Sequence, residues 1–218
     1  MIIVTTPMCK KIVEIAGLKE FKVNKHPDKE EGDLAILLSE SKVQMPSIAI
    51  KLNTFNQIKE SILTLTNYFY ENHLINQKIS EDEILTIFDD YGCYDVYGYD
   101  KHGYDKHGCD KYDYDMYDID ETIKKSNFDK KVKVYSEFLK DIVNDLGCSI
   151  VDEDLECGIV KNSFDYVVFP DYLKSKVVEL DSSDKDNFIF IEIPTHSNAS
   201  SNPIIRAKER YSILLNNL

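Results

Sequence analysis

A cysteine near the start of the chain stands where a short apolar strand gives way to a helix. The opening MIIVTTPMCKK places Cys9 after two threonines and a proline and directly before Lys10 and Lys11. Unpaired backbone N–H groups at a helix start, together with neighbouring lysines, favour the thiolate over the thiol. We therefore predict a nucleophile that is partly ionised near neutral pH. The alternative is that Cys9 is a small buried hydrophobic residue, as most free cysteines are.

A second polar stretch, IEIPTHSNASSNPIIRAKER, leads from a strand into the last helix. Small polar side chains before a helix N-terminus favour an anionic or nucleotide ligand, and arginine can hold phosphate. The alternative is a polar loop followed by a solvated helix face. The candidate ligand-binding residues in this stretch are Thr195, His196, Ser197, Ser200, Asn202 and Arg206.

Residues 91–118 are rich in Tyr, Asp, Gly and His, and they contain the tandem units GYDKH, GYDKH and GCDKY. Almost no aliphatic residue is present, so the segment cannot bury a core of its own. We predict an exposed low-complexity insertion. His102, His107 and Cys109 are metal-ligand types, but repetition in a tolerant loop is the favoured interpretation, and we predict no metal site.

The stretch NSFDYVVFPD (162–171) ends a strand with Asp165, Pro170 and Asp171. An aspartate there could accept hydrogen bonds from a nucleobase edge. An ordinary strand followed by a turn is the favoured interpretation.

Bulk composition narrows the class of protein. The 218 residues carry a formal net charge of -13, which argues against a general nucleic-acid or membrane-surface binder. No apolar run approaches the roughly 20 residues of a membrane span, and no basic segment precedes the first apolar run. We predict a cytoplasmic protein. The five cysteines include no CxxC pair, which speaks against a disulfide framework or a structural zinc site.

Periodicity predicts an α/β fold with one mixed central sheet flanked by helices, as a single domain over 1–218 that contains the 91–118 insertion. Alternation and β-branched runs predict strands at 2–6, 21–24, 34–39, 46–52, 148–151, 164–169, 176–180 and 187–193. Apolar stripes predict helices at 7–18, 54–76, 80–88, 121–147 and 201–218.

The order of these elements resembles the inosine-triphosphate pyrophosphatase fold of the non-canonical NTPases. The similarity lies in IIVTTPMCKKIVEIAGL, with Lys11 and Glu14, and in THSNASSNPIIRAKERYSILL. The resemblance implies a mixed central sheet and a nucleotide-type ligand.

Within that fold, the motif TTPMC resembles the HcgF-type proteins of methanogens, which act in biosynthesis of the iron-guanylylpyridinol (FeGP) cofactor of the mononuclear-iron hydrogenase. The resemblance implies that the chain binds guanylylpyridinol and forms a thioester between its carboxyl group and Cys9. An ATP-dependent adenylating partner enzyme of the HcgE type would first activate that carboxylate, and the thioester would precede the acyl ligand to iron. The implied binding residues beside the thiol are Thr5, Thr6, Pro7, Met8, Lys11 and Glu14. No tightly bound cofactor is implied.

Alternatives from other classes stay open. The chain could be a nucleotide pyrophosphatase or guanylyltransferase on the same fold, a thiol peroxidase, or a non-covalent nucleotide-binding module in which Cys9 only packs. We lean towards an enzyme that transfers an acyl group to a cysteine. Exposed strand edges in such folds often pair, so a homodimer is one expected state.

Overall fold

A computed structural model describes residues 1–92, 119, 121–151, 164–180, 188–195 and 198–218. The chain divides into two compact units. The first contains the described parts of residues 1–93 together with residues 200–207, and the second contains the described parts of 94–199 together with 208–218. A single α/β domain was expected from the sequence.

The first unit is built on a four-stranded parallel sheet. Its strands are β1 (Ile3–Thr5), β2 (Lys22–Val23), β3 (Leu34–Leu38) and β4 (Ser47–Ile50), in the order β2-β1-β3-β4. Thr5 is paired with Val23 on one side and with Ile36 on the other. The central strands β1 and β3 are almost wholly buried, as their unbroken apolar sequences require in a parallel sheet.

The α-helices that lie wholly within the described part of the first unit are α1 (Lys10–Ile15), α2 (Phe55–Glu71) and α3 (Glu81–Asp90), and a short 3-10 helix spans Pro27–Lys29. The Thr54 side chain accepts the Gln57 amide and starts α2, as predicted. Ser80 and Glu83 form a reciprocal capping box at the start of α3. Phe55 and Phe88 then meet edge to face, with ring centroids 5.5 Å apart.

The second unit repeats the same sheet plan. Its strands β5 (Lys131–Val134), β6 (Ser149–Ile150), β7 (Tyr166–Pro170) and β8 (Ile189–Ile193) are parallel and follow the order β6-β5-β7-β8. In both units the first strand therefore lies between the second and the third.

Four helices belong to the second half of the chain: α4 (Glu121–Asn127), α5 (Glu137–Asp145), α6 (Lys174–Leu180) and α7 (Pro203–Asn217). Pro203 stands at the first position of α7, as predicted. The first unit includes α7 up to Ala207, and the second unit includes the remainder.

A glycine with positive φ follows the corresponding helix in each unit. Gly17 has φ 100° after α1, and Gly147 has φ 80° after α5. The left-handed conformation is open to glycine at little cost and ends each helix before the next strand.

The α/β class is confirmed, but the single mixed central sheet is wrong, because the described strands form two separate, wholly parallel sheets. Two element predictions are also wrong. The helix expected over 121–147 is interrupted by β5, where Val132 and Val134 alternate with lysines. The strand expected at 176–180 is part of α6, which supplies the crossover that parallel β7 and β8 need.

Candidate functional site

The first unit contains a cavity of about 460 Å³ beside the carboxyl ends of β1 and β3. Thr6, which directly follows β1, and Leu37 in β3 form its floor. Residues 25–29 form one wall, and residues 41–43 form the other. Both walls are loops that follow strands of a parallel sheet, which is where ligands bind in open α/β folds.

Asn24 holds the first wall in place. Its amide N–H donates to the Thr5 carbonyl at 2.9 Å, which ties the wall to the end of β1. Its side-chain oxygen accepts the His26 amide at 2.9 Å, and its side-chain nitrogen donates to Glu30 at 2.8 Å. The turn at 25–29 is therefore fixed from both ends.

Asp28 joins the first wall to the loop that carries the second. Its Oδ1 accepts the backbone N–H of Gln44 at 2.9 Å and that of Met45 at 3.4 Å. Together with the Ser41 amide, which donates to Leu38 O at 2.9 Å, this contact keeps residues 41–45 in a defined position. The cavity is thus shaped before any ligand enters.

The cavity lining carries more positive than negative charge. Lys25, Lys29 and Lys42 line it, against the single carboxylate of Asp28. Within the described part of the chain, none of the three lysines forms an ion pair, whereas nearby Lys22 lies 4.0 Å from Glu30. Three positive charges against one negative charge leave a formal balance of +2 in a chain of net charge -13.

Cys9 lies beneath this region with no exposed surface. Burial raises the pKa of its thiol to about 11, although a hydrogen bond with Thr6 and the charge of Arg206 act in the opposite direction. The prediction of a thiol partly ionised near neutral pH is therefore wrong. Desolvation of the buried thiol outweighs the hydrogen bond with Thr6 and the charge of Arg206.

The groups expected to activate Cys9 are already engaged. The amides of Cys9 and Lys10 both donate to the Thr6 carbonyl at 3.0 Å, so they are not directed at an incoming oxyanion. Lys10 and Lys11 each lie 3.8 Å from the carboxylate of Glu14. The two lysines therefore pair with Glu14 at the surface instead of stabilising a thiolate at Cys9.

The remaining predicted residues of the N-terminal stretch have structural contacts. Thr5 is buried, and its hydroxyl donates to Ile36 O at 2.9 Å, which joins β1 to β3. Pro7 is exposed. Met8 is 40% exposed, and its sulfur accepts from Arg206 at 4.0 Å.

Arg206 lies near enough to Cys9 for its positive charge to act on the thiol. Arg206 is buried, and its Nη1 donates to Ser200 O at 3.0 Å. Asn202 Oδ1 accepts the Ile204 amide at 3.0 Å, and Ser200 Oγ accepts the Asn202 amide at 3.2 Å. These contacts shape the turn that begins α7.

Thr195 belongs to a cluster in the second unit. Its amide donates to Asp171 Oδ2 at 3.1 Å, its hydroxyl donates to Asp171 Oδ1, and Asn198 Nδ2 donates to Oδ2 at 2.8 Å. Partial burial would raise the pKa of Asp171, but these donors outweigh it and lower the pKa to about 2. The predicted residues His196 and Ser197, and His102, His107 and Cys109 of the insertion, lie outside the described residues.

Within the ranges that the structure describes, no group of three or more His, Cys, Asp or Glu side chains is placed to hold a metal ion. Of these residue types, His26 and Asp28 line the cavity. Over the same ranges, no helix combines the length and the hydropathy needed to cross a lipid bilayer.

The cavity walls at 25–29 and 41–43 were not predicted as site residues. The signal in the sequence is weak: VNKHPDKEEGD and SESKVQMP look like ordinary charged loops. Their position after two strands of a parallel sheet is what identifies them, and that requires knowing the strand order.

Comparison with known proteins gives fold-level likenesses. No family model matches the chain. No curated protein matches it in sequence. Among solved structures, it resembles the metal-dependent lipoprotein YcdH from Bacillus subtilis, with 12% identity, 100% of this chain and 99% of that chain covered, and a TM-score of 0.52.

Two further solved structures show the same likeness. A Zn(II)-bound variant of AdcAII from Streptococcus pneumoniae is 10% identical, with 100% and 99% of the chains covered and a TM-score of 0.53. The SBP FpvC from Pseudomonas aeruginosa, in complex with Mn²⁺, is 10% identical, with 100% and 97% covered and a TM-score of 0.51. At these identities the likeness shows the fold alone, an α/β fold with two parallel sheets.

These findings correct the resemblance drawn from the opening motif. The fold of the inosine-triphosphate pyrophosphatases was the wrong expectation, since the solved structures that the chain resembles have a different fold, and these comparisons give no support to a relation with HcgF-type proteins. Thioester formation with guanylylpyridinol and its hydrogenase-maturation context are therefore wrong. The pyrophosphatase, guanylyltransferase and nucleotide-module alternatives gain no support from these structures. The five residues of TTPMC do not define a reactive site in this structure: Thr5 ends the buried strand β1, and Cys9 is buried.

Proposed function

We propose that this chain is a solute-binding protein, which takes up a small ligand reversibly in the cavity of its first unit. The observation that carries the proposal is the preformed cavity of about 460 Å³ at the carboxyl edge of a parallel sheet. Its size lies within the range of small-molecule sites, which run from about 300 to 1,000 Å³. The fold shared with solute-binding proteins supports the same class.

The state of Cys9 supports binding without a covalent step. A fully buried thiol with a pKa near 11 is a poor nucleophile at neutral pH, because little thiolate is present. In this proposal Cys9 packs beneath Thr6 and supports the cavity floor. The earlier expectation of an enzyme stays untested.

A divalent metal is a second candidate ligand. One of the similar structures is Zn(II)-bound and another is in complex with Mn²⁺, and His26 and Asp28 are metal-ligand types on the cavity wall. Asp28 already accepts two backbone amides, so a metal there would compete with the contact that joins the walls. The metal candidate therefore requires ligands beyond this pair.

A thermal-shift panel tests the proposal. A ligand that binds only the folded state raises the unfolding temperature, and the rise disappears on dialysis. We would test zinc chloride, manganese chloride, sodium phosphate and sodium benzoate, with intact mass recorded before and after. Ser41→Phe would fill the cavity mouth and abolish the shift, whereas Thr64→Phe, on the exposed face of α2, would retain it. A shift that Ser41→Phe leaves unchanged would contradict the proposal.

The cellular compartment is a separate proposal. We propose the cytoplasm, as composition predicts, whereas one similar structure is titled a lipoprotein. Fractionation of cells that express the native gene, with a marker for each compartment, distinguishes the two.

A further inference from the structure

We propose that the cavity selects a small organic anion, with an acidic head group held by lysines and an apolar body held against the floor. This inference rests on the proposed ligand-binding function and names the chemical class of the ligand. Three features of the lining carry it: unpaired cations, an occupied carboxylate and an apolar surface.

The cations come from both walls. Lys25 and Lys29 stand on the first wall, and Lys42 stands on the second, so a bound anion would be approached from two sides. No described carboxylate forms an ion pair with any of them. Like charges that share a cavity repel each other, and an anion relieves that repulsion.

Asp28 does not offset these lysines by direct contact. Its Oδ1 faces the amides of Gln44 and Met45, which hold the second wall. The single carboxylate of the lining thus serves the structure of the cavity. Glu30 and Glu40 lie in the flanking sequence but do not line the cavity, and Glu30 is bonded to Asn24 and lies 4.0 Å from Lys22.

The remaining lining residues comprise three apolar side chains, the hydroxyls of Thr6 and Ser41, and the imidazole of His26. Leu37 and Pro27 are buried, and Val43 is half-buried. Val43, with the small edges of Leu37 and Pro27 that border the cavity, offers a modest apolar surface that inorganic phosphate would leave in contact with water, whereas an aliphatic or aromatic body would cover it. Ser41 adds a hydroxyl that can donate to a carboxylate or a phosphoryl oxygen, whereas the Thr6 side chain is hydrogen-bonded with Cys9.

Calorimetric titration with three probes tests the selection. Sodium benzoate has a charged head and an apolar body, benzamide has the same shape without the charge, and sodium phosphate has the charge without the body. We expect benzoate to bind more tightly than both. Equal affinity for benzoate and benzamide would remove the role of the lysines, and tighter binding of phosphate would remove the role of the apolar floor.

Lysine variants locate the binding. The double variant Lys29→Gln with Lys42→Gln should weaken benzoate binding by between about twofold and about 25-fold, since each exposed charge pair contributes between about 1.4-fold and about fivefold. Lys19→Gln makes the same type of change at an exposed lysine outside the cavity and should leave the affinity unchanged. Benzoate binding that is insensitive to the double variant would overturn the inference.

The failures of the two proposals are distinguishable. If zinc or phosphate binds and Ser41→Phe blocks it, the cavity is a ligand site but the organic-anion inference is wrong. If no probe binds to the folded chain, the proposed function itself is contradicted.

Discussion

Asp28 accepts the backbone N–H of Gln44 at 2.9 Å, and this contact joins the two walls of the cavity in the first unit. The same carboxylate oxygen accepts the Met45 amide at 3.4 Å. One exposed aspartate therefore fixes the width of the site, and the site can be changed without touching its lysines.

Removing this contact should loosen the site more than it destabilises the unit. Asp28→Ala should lower the free energy of unfolding by roughly 1 kcal/mol, since the lost bonds are charge-assisted but exposed. Asp28→Asn keeps an acceptor and should lose less. Urea unfolding measures both, with Glu20→Gln as an exposed control for the loss of one negative charge. Equal stability of the wild type and Asp28→Ala would show that the contact does not hold the walls.

Cys9 should resist alkylation in the folded protein. In a variant with Cys93, Cys109, Cys148 and Cys157 changed to Ser, N-ethylmaleimide should react with Cys9 much more slowly in buffer than in urea. Below its pKa near 11, the thiolate fraction rises about tenfold for each pH unit, and the folded-state rate should rise accordingly. Mass spectrometry would measure the rate of modification. Fast modification of the folded protein at neutral pH would contradict the raised pKa and support Cys9 as a nucleophile.

The raised pKa of Cys9 also predicts how the free energy of unfolding changes with pH. The folded thiol keeps its proton up to about pH 11, whereas the unfolded thiol loses it near pH 9.0. The contribution of the neutral thiol to stability is therefore complete below pH 9.0 and is lost as the pH rises towards 11. Unfolding free energies of wild type and Cys9→Ala should converge over that window, and a constant difference would contradict the shift.

The second unit offers a test at acid pH. The pKa of Asp171 is lowered to about 2, so its bonds to Thr195 and Asn198 persist above the usual aspartate pKa and are lost as the pH falls towards 2. Exchange of the Thr195 amide with solvent, followed by NMR, should become faster in that range. Asp171→Ala removes the acceptor and should show fast exchange at every pH, and slow exchange in this variant would show that other contacts hold the amide.

The two glycines that end α1 and α5 should differ in their tolerance of alanine. Both have positive φ, so each substitution costs about 1 kcal/mol from backbone strain. At Gly147 an added Cβ would also lie 2.6 Å from Lys124 Cα, whereas at Gly17 the nearest atoms, in Ile75, are 3.6 Å away. Thermal unfolding should therefore show a clearly larger loss for Gly147→Ala. Equal losses of stability in the two variants would show that backbone strain alone sets the cost and that the contact with Lys124 adds nothing.

The sequence predicted local structure where a single pattern dominates. Apolar runs identified β1, β3 and β7, and the cap at Thr54 located the start of α2. It failed where a short element had no strong period. The KVKV segment of β5 lies between apolar stretches with helical spacing, so the pattern predicts one long helix through it. The KVVEL segment of α6 is predicted as a strand because valine has a high strand propensity.

Tertiary facts could not be predicted from local patterns. The separation into two parallel sheets depends on which strands pair across long stretches of sequence, and no single residue type predicts that pairing. The cavity depends on the same pairing, since Thr6, Lys25 and Lys42 meet only when β1, β2 and β3 lie side by side. Cys9 shows the converse. Its neighbours in sequence suggest an activated thiol, but burial under the sheet edge reverses the direction of its pKa shift.

The central claim is that the cavity of the first unit binds a solute reversibly, and NMR mapping tests it most directly. Sodium benzoate would be added to ¹⁵N-labelled protein, and the backbone amide signals would be followed and then recorded again after dialysis. The account predicts shifts concentrated at Thr6, at residues 25–29 and at residues 41–43, with full recovery. Shifts confined to other residues, or none with benzoate, zinc or phosphate, would contradict it.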